Sequence, residues 1–398
     1  MRIFYLSTDF KPRTGGIAEM SYRIARELAS RRHEVLVCTN RVDEDDPALQ
    51  REPFMLRRAF DPRPVGSMRS VTGSTRAILW ARSALRRMRQ SATEFQPDIV
   101  LLGNYNSVWG GLSADANGWP YVQCLYGEEL AAQLHTRVPG RAAKMRGILR
   151  SASWIFCVSH HSASLLTQLL GAPHEAVSVT GCGFPIEEIV DGDHRAEARR
   201  ALRWDDAPTI LTVARVVRRK GIDTTIRALP GILKAVPDCR YVVVGDGCDR
   251  GALEQLVMEL GLMDRVEFLG QVSETVRRSV YLASDLYVMP SYPGDEGEVE
   301  GFGISFLEAN AHGLTAIGSS AGGIPDAIED GVNGLLVPPK DPQRVATAVT
   351  YLLCHPEVRT AMAEAGRRRI RERYNWPMIC DVIEDGLERS LEKDGTGR

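Results

Sequence analysis

Two series of short apolar runs, each interrupted by helical patterning, constrain this chain more than any other feature. The first series occupies residues 3–7, 35–39, 99–103, 121–125, 154–158 and 177–180. The pattern then restarts at 209–213, 241–245, 266–269, 286–289 and Ala316-Ile317. Runs of this length bounded by turn residues read as strands buried on both faces. The segments between them carry helical spacing, as in Ile17, Met20, Ile24 and Leu28. Strands alternating with helices predict parallel sheets covered on both faces, an α/β fold. A single core stops growing near about 250 to 300 residues, so 398 residues and a restarted pattern predict two doubly wound domains. The polar run Asp191-Gly192-Asp193-His194-Arg195-Ala196-Glu197 follows a turn-rich stretch and marks their boundary. The expected domains are 1–188 and 189–373, with an amphipathic tail over 374–398.

Composition narrows the partners. A formal net charge of -2 gives no global basic field, which argues against nucleic acid. The cysteines at 38, 124, 157, 182, 239, 248, 354 and 380 form no C-x2-C pair, so they read as reduced, buried thiols instead of a zinc site or a disulfide framework. Met1-Arg2 leads directly into a strand candidate without a signal-peptide pattern, and no apolar run approaches the roughly 18 residues of a membrane span. A cytoplasmic location is therefore expected. Residues 55–89 depart from the average: Arg76, Arg82, Arg86, Arg87 and Arg89 interleave with Ile78, Leu79, Trp80, Leu85 and Met88, and Asp61 is the single acid. This segment reads either as a basic helix beside an anionic acceptor or membrane, giving peripheral association, or as a solvated helix whose apolar residues enter the core.

The chemistry concentrates in Glu300-Gly301-Phe302-Gly303-Ile304-Ser305-Phe306-Leu307-Glu308. A strand candidate ending at Pro290 precedes it through a Gly-rich acidic loop, and a second strand candidate follows, so the segment should open the helix of a βαβ unit. Open α/β sheets place ligands at the carboxyl ends of strands. Unsatisfied N–H groups at a helix entry attract an anion such as a diphosphate. Carboxylates on either side of it would accept hydrogen bonds from hydroxyls, as a sugar and a ribose flanking a diphosphate would offer. Arg215 and Lys220 follow another strand, five residues apart, and can neutralise phosphate oxygens. Arg218 and Arg219 read as a solvated basic face. Asp295, Glu296 and Glu298 lack a coordination spacing and read as a solvated loop, so no metal is expected. His160 and His161 read as surface or core residues.

With Gly15-Gly16-Ile17, Arg215 with Lys220-Gly221, Gly245-Asp246-Gly247, the E-x7-E segment and Asp330-Gly331-Val332-Asn333-Gly334-Leu335-Leu336-Val337 in this order, the chain resembles the retaining GT-B glycosyltransferases of family 4. The resemblance implies two Rossmann-like domains facing a cleft, with the tail helix crossing back to the first domain. It implies a metal-independent hexosyltransferase without a cofactor, whose donor is a nucleoside diphosphate sugar of the UDP or GDP type. The acceptor would be a glycan, a lipid-linked sugar or a small molecule, and the oligomeric state stays open. It further implies that Gly16 contacts the donor phosphate and that Arg215 and Lys220 face the leaving diphosphate. Glu300 would bind sugar hydroxyls and Glu308 ribose hydroxyls. Backbone at Phe302, Gly303 and Ile304 would lie near the diphosphate, and backbone around Val272 near the base.

Two departures stand out. Ala214 replaces a usual glycine, and Tyr126-Gly127-Glu128-Glu129 replaces a usual His-Gly-x-Glu. A tyrosine hydroxyl can donate to a sugar oxygen but supplies no cation near neutral pH, so Tyr126 and Glu129 are kept as acceptor or sugar contacts. The alternatives to a glycosyltransferase are a non-catalytic nucleotide-sugar-binding subunit and another GT-B enzyme such as an epimerase.

Overall fold

The computed structural model of the protein describes residues 1–13, 15–60, 71–104, 107–134, 141–294 and 297–395. Contacts divide the chain into two units, Met1–Gly183 with Trp376–Arg398, and Phe184–Asn375. The chain therefore passes from one unit to the other after Gly183 and returns after Asn375, whereas the sequence reading puts the first joint at 188/189.

The first unit comprises β1 (Arg2–Leu6), α1 (Gly16–Ser30), β2 (Glu34–Asn40), β3 (Met55–Phe60), α2 (Val71–Phe95), β4 (Ile99–Leu102), α3 (Gly110–Asp115), β5 (Tyr121–Leu125), α4 (Glu128–Leu134), α5 (Arg141–Ser151), β6 (Trp154–Cys157), α6 (His160–Leu170) and β7 (Val177–Val179). All its strand pairs are parallel, in the order β3-β2-β1-β4-β5-β6-β7. The second unit comprises α7 (Arg195–Leu202), β8 (Thr209–Val213), α8 (Ile222–Ile232), β9 (Arg240–Val244), α9 (Arg250–Glu259), β10 (Val266–Gly270), α10 (Glu274–Ala283), β11 (Leu286–Met289), α11 (Ile304–Ala311), β12 (Thr315–Ser319), α12 (Ile324–Ala327), β13 (Gly334–Val337), α13 (Pro342–Cys354) and α14 (Pro356–Arg373). Its parallel order is β10-β9-β8-β11-β12-β13. The last helix, α15 (Trp376–Gly395), packs on α1, β5 and β6 of the first unit.

In each sheet the strand order reverses once, between β1 and β4 and between β8 and β11. At such a switch point the two loops diverge and leave a crevice over the strand ends. The buried strands supply the core, as in Ile210, Val243, Val288 and Ile317 of the second unit against Ile226 and Val349 of its helices. One end of β11 is fixed by Asp285. Its carboxylate accepts from Thr209 N at 2.8 Å and from Arg199 at 2.7 Å, and it contacts Arg195.

Two strands differ from the sequence reading. Residues 55–60 form edge strand β3, not the start of a basic helix. An edge exposes part of its surface and tolerates charge, and here Arg57 pairs with Glu94 at 2.7 Å and Arg58 with Asp45 at 2.6 Å. The stretch Gly334–Val337 is strand β13, hidden because only its ends are fully buried. In α1, Met20, Ile24 and Leu28 enter the core but Ile17 stays 36% exposed. Of the basic segment, Met88 is buried while Arg86 and Arg89 face outward, the arrangement of a helix that turns its apolar side to the core. Residues 61–70 and the side chains of Arg76, Ile78, Leu79, Trp80 and Arg82 lie outside the described residues. Among the described residues no helix is long and apolar enough to cross a membrane.

Candidate active site

The β8/β11 switch point of the second unit gathers most of the residues singled out from sequence. After β8 the chain makes a short 3-10 turn over Arg218–Lys220 and enters α8 through Gly221. Gly221 has φ 71°, and a Cβ there would lie 2.2 Å from the carbonyl oxygen of Pro290, so only glycine lets this loop press against the end of β11. The loop is also fixed by Tyr292 N–H, which donates to the Arg219 carbonyl at 2.8 Å. From the other side, Asp249 accepts from Arg218 N at 2.7 Å. The Gly245-Asp246-Gly247 turn is the floor beneath it: side chains at Gly245 and Gly247 would overlap the carbonyl oxygens of Ala214 and Val216 at 1.9 and 2.2 Å. That turn supports the cation loop through its backbone.

Across from this loop stands Glu300. Its Oε2 meets Lys220 Nζ in an ion pair and lies 3.5 Å from a guanidinium nitrogen of Arg219. The side chains of Arg219 and Glu300 are only 12% and 14% exposed. Burial alone would push the Glu300 carboxyl up. Lys220, by charge and hydrogen bond, followed by Arg219 and Arg215, more than offsets this and holds it below its ordinary value. The reading of Arg219 as part of a solvated face is thus corrected, since it turns inward beside Lys220. Arg218 and Arg215 are exposed, and Arg215 acts on Glu300 through its charge. Adjacency to Lys220 within a turn was the one sequence signal for Arg219. The Glu300 backbone is also fixed, its carbonyl accepting from Gly323 N–H at 2.8 Å. Asp295 and Glu296 lie outside the described residues.

Beyond Glu300 the chain passes Phe302, which is buried, and turns at Gly303 into α11. Gly303 has φ 91°, and a Cβ there would meet the Phe306 ring at 2.5 Å. At the entry of α11 the Phe306 N–H turns back to the Gly303 carbonyl at 2.9 Å, while the N–H groups of a helix's first residues, here from Ile304, have no carbonyl one turn back to accept them. One turn on, Glu308 accepts from the Tyr281 hydroxyl at 2.7 Å, and Arg277 approaches it at 3.5 Å. Both partners come from α10, which follows Val272 and is capped by Ser273; neither was anticipated from sequence. Burial first, then the Glu308 charge, drives the Tyr281 phenol well above its ordinary value. His312 stacks on Tyr281 at 5.0 Å, and burial pushes its imidazole down to about 4, so it backs the site as a neutral ring. The late glycine-rich motif locks α11 in register. Asn333 is fully buried and donates to Asn310 Oδ1 at 2.9 Å and to the Ala327 carbonyl at 3.1 Å.

Gly16, Tyr126 and Glu129 belong to the first unit. Gly16 is exposed at the start of α1, behind Gly15 with φ 136°. At the β1/β4 switch point of this unit Asn104 donates to Thr8 Oγ1 at 3.1 Å and to Ser7 Oγ at 3.3 Å. Tyr126 lies inside the first unit. Its hydroxyl donates to the Gly103 carbonyl at 3.0 Å and the side chain is buried, so its one proton is committed inside the unit. Glu129 accepts from the Tyr126 backbone N–H, as a local cap. Among the described residues no three His, Cys, Asp or Glu side chains group as metal ligands.

Known proteins resemble this chain in sequence and in fold. The family description "Glycosyl transferases group 1" matches residues 194–369, and "Glycosyl transferase 4-like domain" matches residues 15–183. A GDP-mannose-dependent alpha-(1-6)-phosphatidylinositol monomannoside mannosyltransferase of Mycobacterium tuberculosis is 28% identical over 97% of this chain and 98% of its own. The alpha-D-kanosaminyltransferase of Streptomyces kanamyceticus is 30% identical over 78% of this chain and 83% of its own. Among solved structures, HepE of Anabaena, crystallised with UDP and glucose, has a TM-score of 0.78 at 22% identity, covering 98% of this chain and 99% of that one. That likeness concerns the fold. From the two matched families and these relatives, the chain belongs to the family 4 GT-B glycosyltransferases and is a hexosyltransferase.

Proposed function

We propose that the protein moves a hexose from a nucleoside diphosphate sugar to an acceptor hydroxyl with retention of the anomeric configuration and without a metal ion. The observation that carries this reading is the set of Lys220, Arg219 and Glu300 beside the entry of α11 at the β8/β11 switch point. Breaking the bond between the anomeric carbon and the phosphate oxygen leaves negative charge on the diphosphate. Arg215, Lys220 and the N–H groups around Gly303 and Ile304 oppose that charge, and fixed donors act without reorganisation. Glu300 accepts hydrogen bonds from hydroxyls of the sugar, where positive charge builds, and Glu308 from those of the ribose. The acceptor hydroxyl attacks from the face the diphosphate leaves, and its proton passes to the departing phosphate oxygen.

The mycobacterial relative is named for GDP-mannose and an inositol-bearing acceptor, which makes that pair the first to assay, with UDP-glucose as the alternative donor. Transfer is expected to continue in excess chelator, and proton NMR of the product is expected to show the donor's anomeric configuration. A strict metal requirement, or an inverted linkage, would refute the mechanism.

A further inference from the structure

Arg219 has no task in the transfer just described, yet it is built into the site. It shares a single carboxylate oxygen, Glu300 Oε2, with Lys220. Its main chain is anchored apart from that contact, through the Tyr292 N–H on its carbonyl. One cation would neutralise Glu300. The second matters once an anion arrives, because a lysine is a compact charge on a flexible stem that a diphosphate can draw away. A nearly buried carboxylate left alone would tend to take up a proton and lose its fixed position.

We propose that Arg219 is a positioning residue that keeps Glu300 charged and in place while Lys220 turns to the diphosphate. This rests on the reading of the site given above. The charged groups acting on Glu300 are Lys220, Arg219 and Arg215 from the loop after β8, and the Tyr287 phenol of β11 lies in its field. The α12 side contributes the Gly323 backbone N–H to the Glu300 carbonyl. Removing Arg219 takes away a charge that lowers the Glu300 pKa, so the acid limb of turnover moves to higher pH.

The test uses the full chain as wild type, Arg219→Gln and Arg219→Met, the last keeping the aliphatic stem. Turnover against pH is measured at saturating donor, and binding of bare GDP or UDP is measured by calorimetry. In both variants the acid limb of kcat is expected to rise by about one pH unit, with the nucleotide Kd within about twofold of wild type, and Arg219→Lys is expected to restore the limb. An unmoved acid limb in a folded variant overturns the proposal. So does a large rise in nucleotide Kd with the limb in place, which would make Arg219 a direct phosphate ligand. If wild type neither binds nor turns over the donors, the reading of the site fails and this proposal falls with it. That outcome is told apart from the others by the wild-type trace alone.

Discussion

A carboxylate enclosed beside two cations already uses part of their charge, so Glu300 sets how much attraction Lys220 has left for an incoming anion. Glu300→Gln frees that attraction. It is expected to leave binding of the bare nucleoside diphosphate equal or tighter while transfer falls, because the sugar loses a charged acceptor; calorimetry and turnover assays separate the two. Weaker binding of the bare nucleotide would reverse the assigned role. Arg215→Ala or Lys220→Ala is expected to lower transfer by about a hundredfold, the scale of one lost preorganised contact to developing charge, with circular dichroism confirming the fold. Glu308→Ala is expected to weaken bare nucleotide instead. It also strips the Tyr281 hydroxyl of its acceptor, so Glu308→Gln, which still accepts, should recover part of the fold's stability. The depressed Glu300 pKa fixes a sign as well. Its pairing contributes stability in full above the ordinary value of 4.5, and that contribution is lost as pH falls through the lower folded value. Thermal melts below pH 4.5 should therefore gain acid resistance in Glu300→Gln relative to wild type.

Elements set these side chains by close backbone approach, and glycines mark where the approach happens. Gly303 combines a left-handed φ with a ring 2.5 Å from where its Cβ would be. Gly303→Ala is expected to cost about 2 kcal/mol or more, from backbone strain plus overpacking. The loss should fall on transfer too, since α11 starts there. Urea unfolding measures the first, and wild-type stability would show that the turn relaxes. The E-x7-E helix and its loop were legible in sequence because a strand, a glycine turn and a periodic segment follow one another locally. The partners of Glu308 were not, because Tyr281 and Arg277 come from a different helix and meet it only through packing. Edge strand β3 was hidden by Arg57 and Arg58, whose charges an exposed edge accepts and a buried strand would not. The acceptor of the Tyr126 hydroxyl was hidden for a similar reason: it is Gly103, at the end of another strand, and no local spacing announces that pairing.

At the level of the whole molecule, the restart of the strand pattern made two sheets predictable, and composition made each large enough to hold a core. Each sheet finishes its own hydrogen bonding, but the first unit does not finish its own cover. Its last helix arrives after the second unit is complete. On α15, Ile379, Cys380, Ile383 and Leu387 are buried, and Gly386 lets the helix close on the Phe156 ring. Arg31, at the end of α1, donates to Asp381 at 2.7 Å and Glu384 at 2.8 Å. Burying a large apolar side chain contributes about 1.5–3 kcal/mol, so this face supplies a sum comparable with the roughly 5–15 kcal/mol by which a domain is stable. A chain ending at Asn375 is therefore expected to keep its second unit and lose the first. Hydrogen exchange read by mass spectrometry should find β8, β9 and β11 protected as in the full chain, with β1, β5 and β6 exchanging freely. If the truncated chain protected β5 and β6 as the full chain does, the first unit's core would be sufficient without its returning helix. The physical account of why the chain comes back after Asn375 would then have to be abandoned.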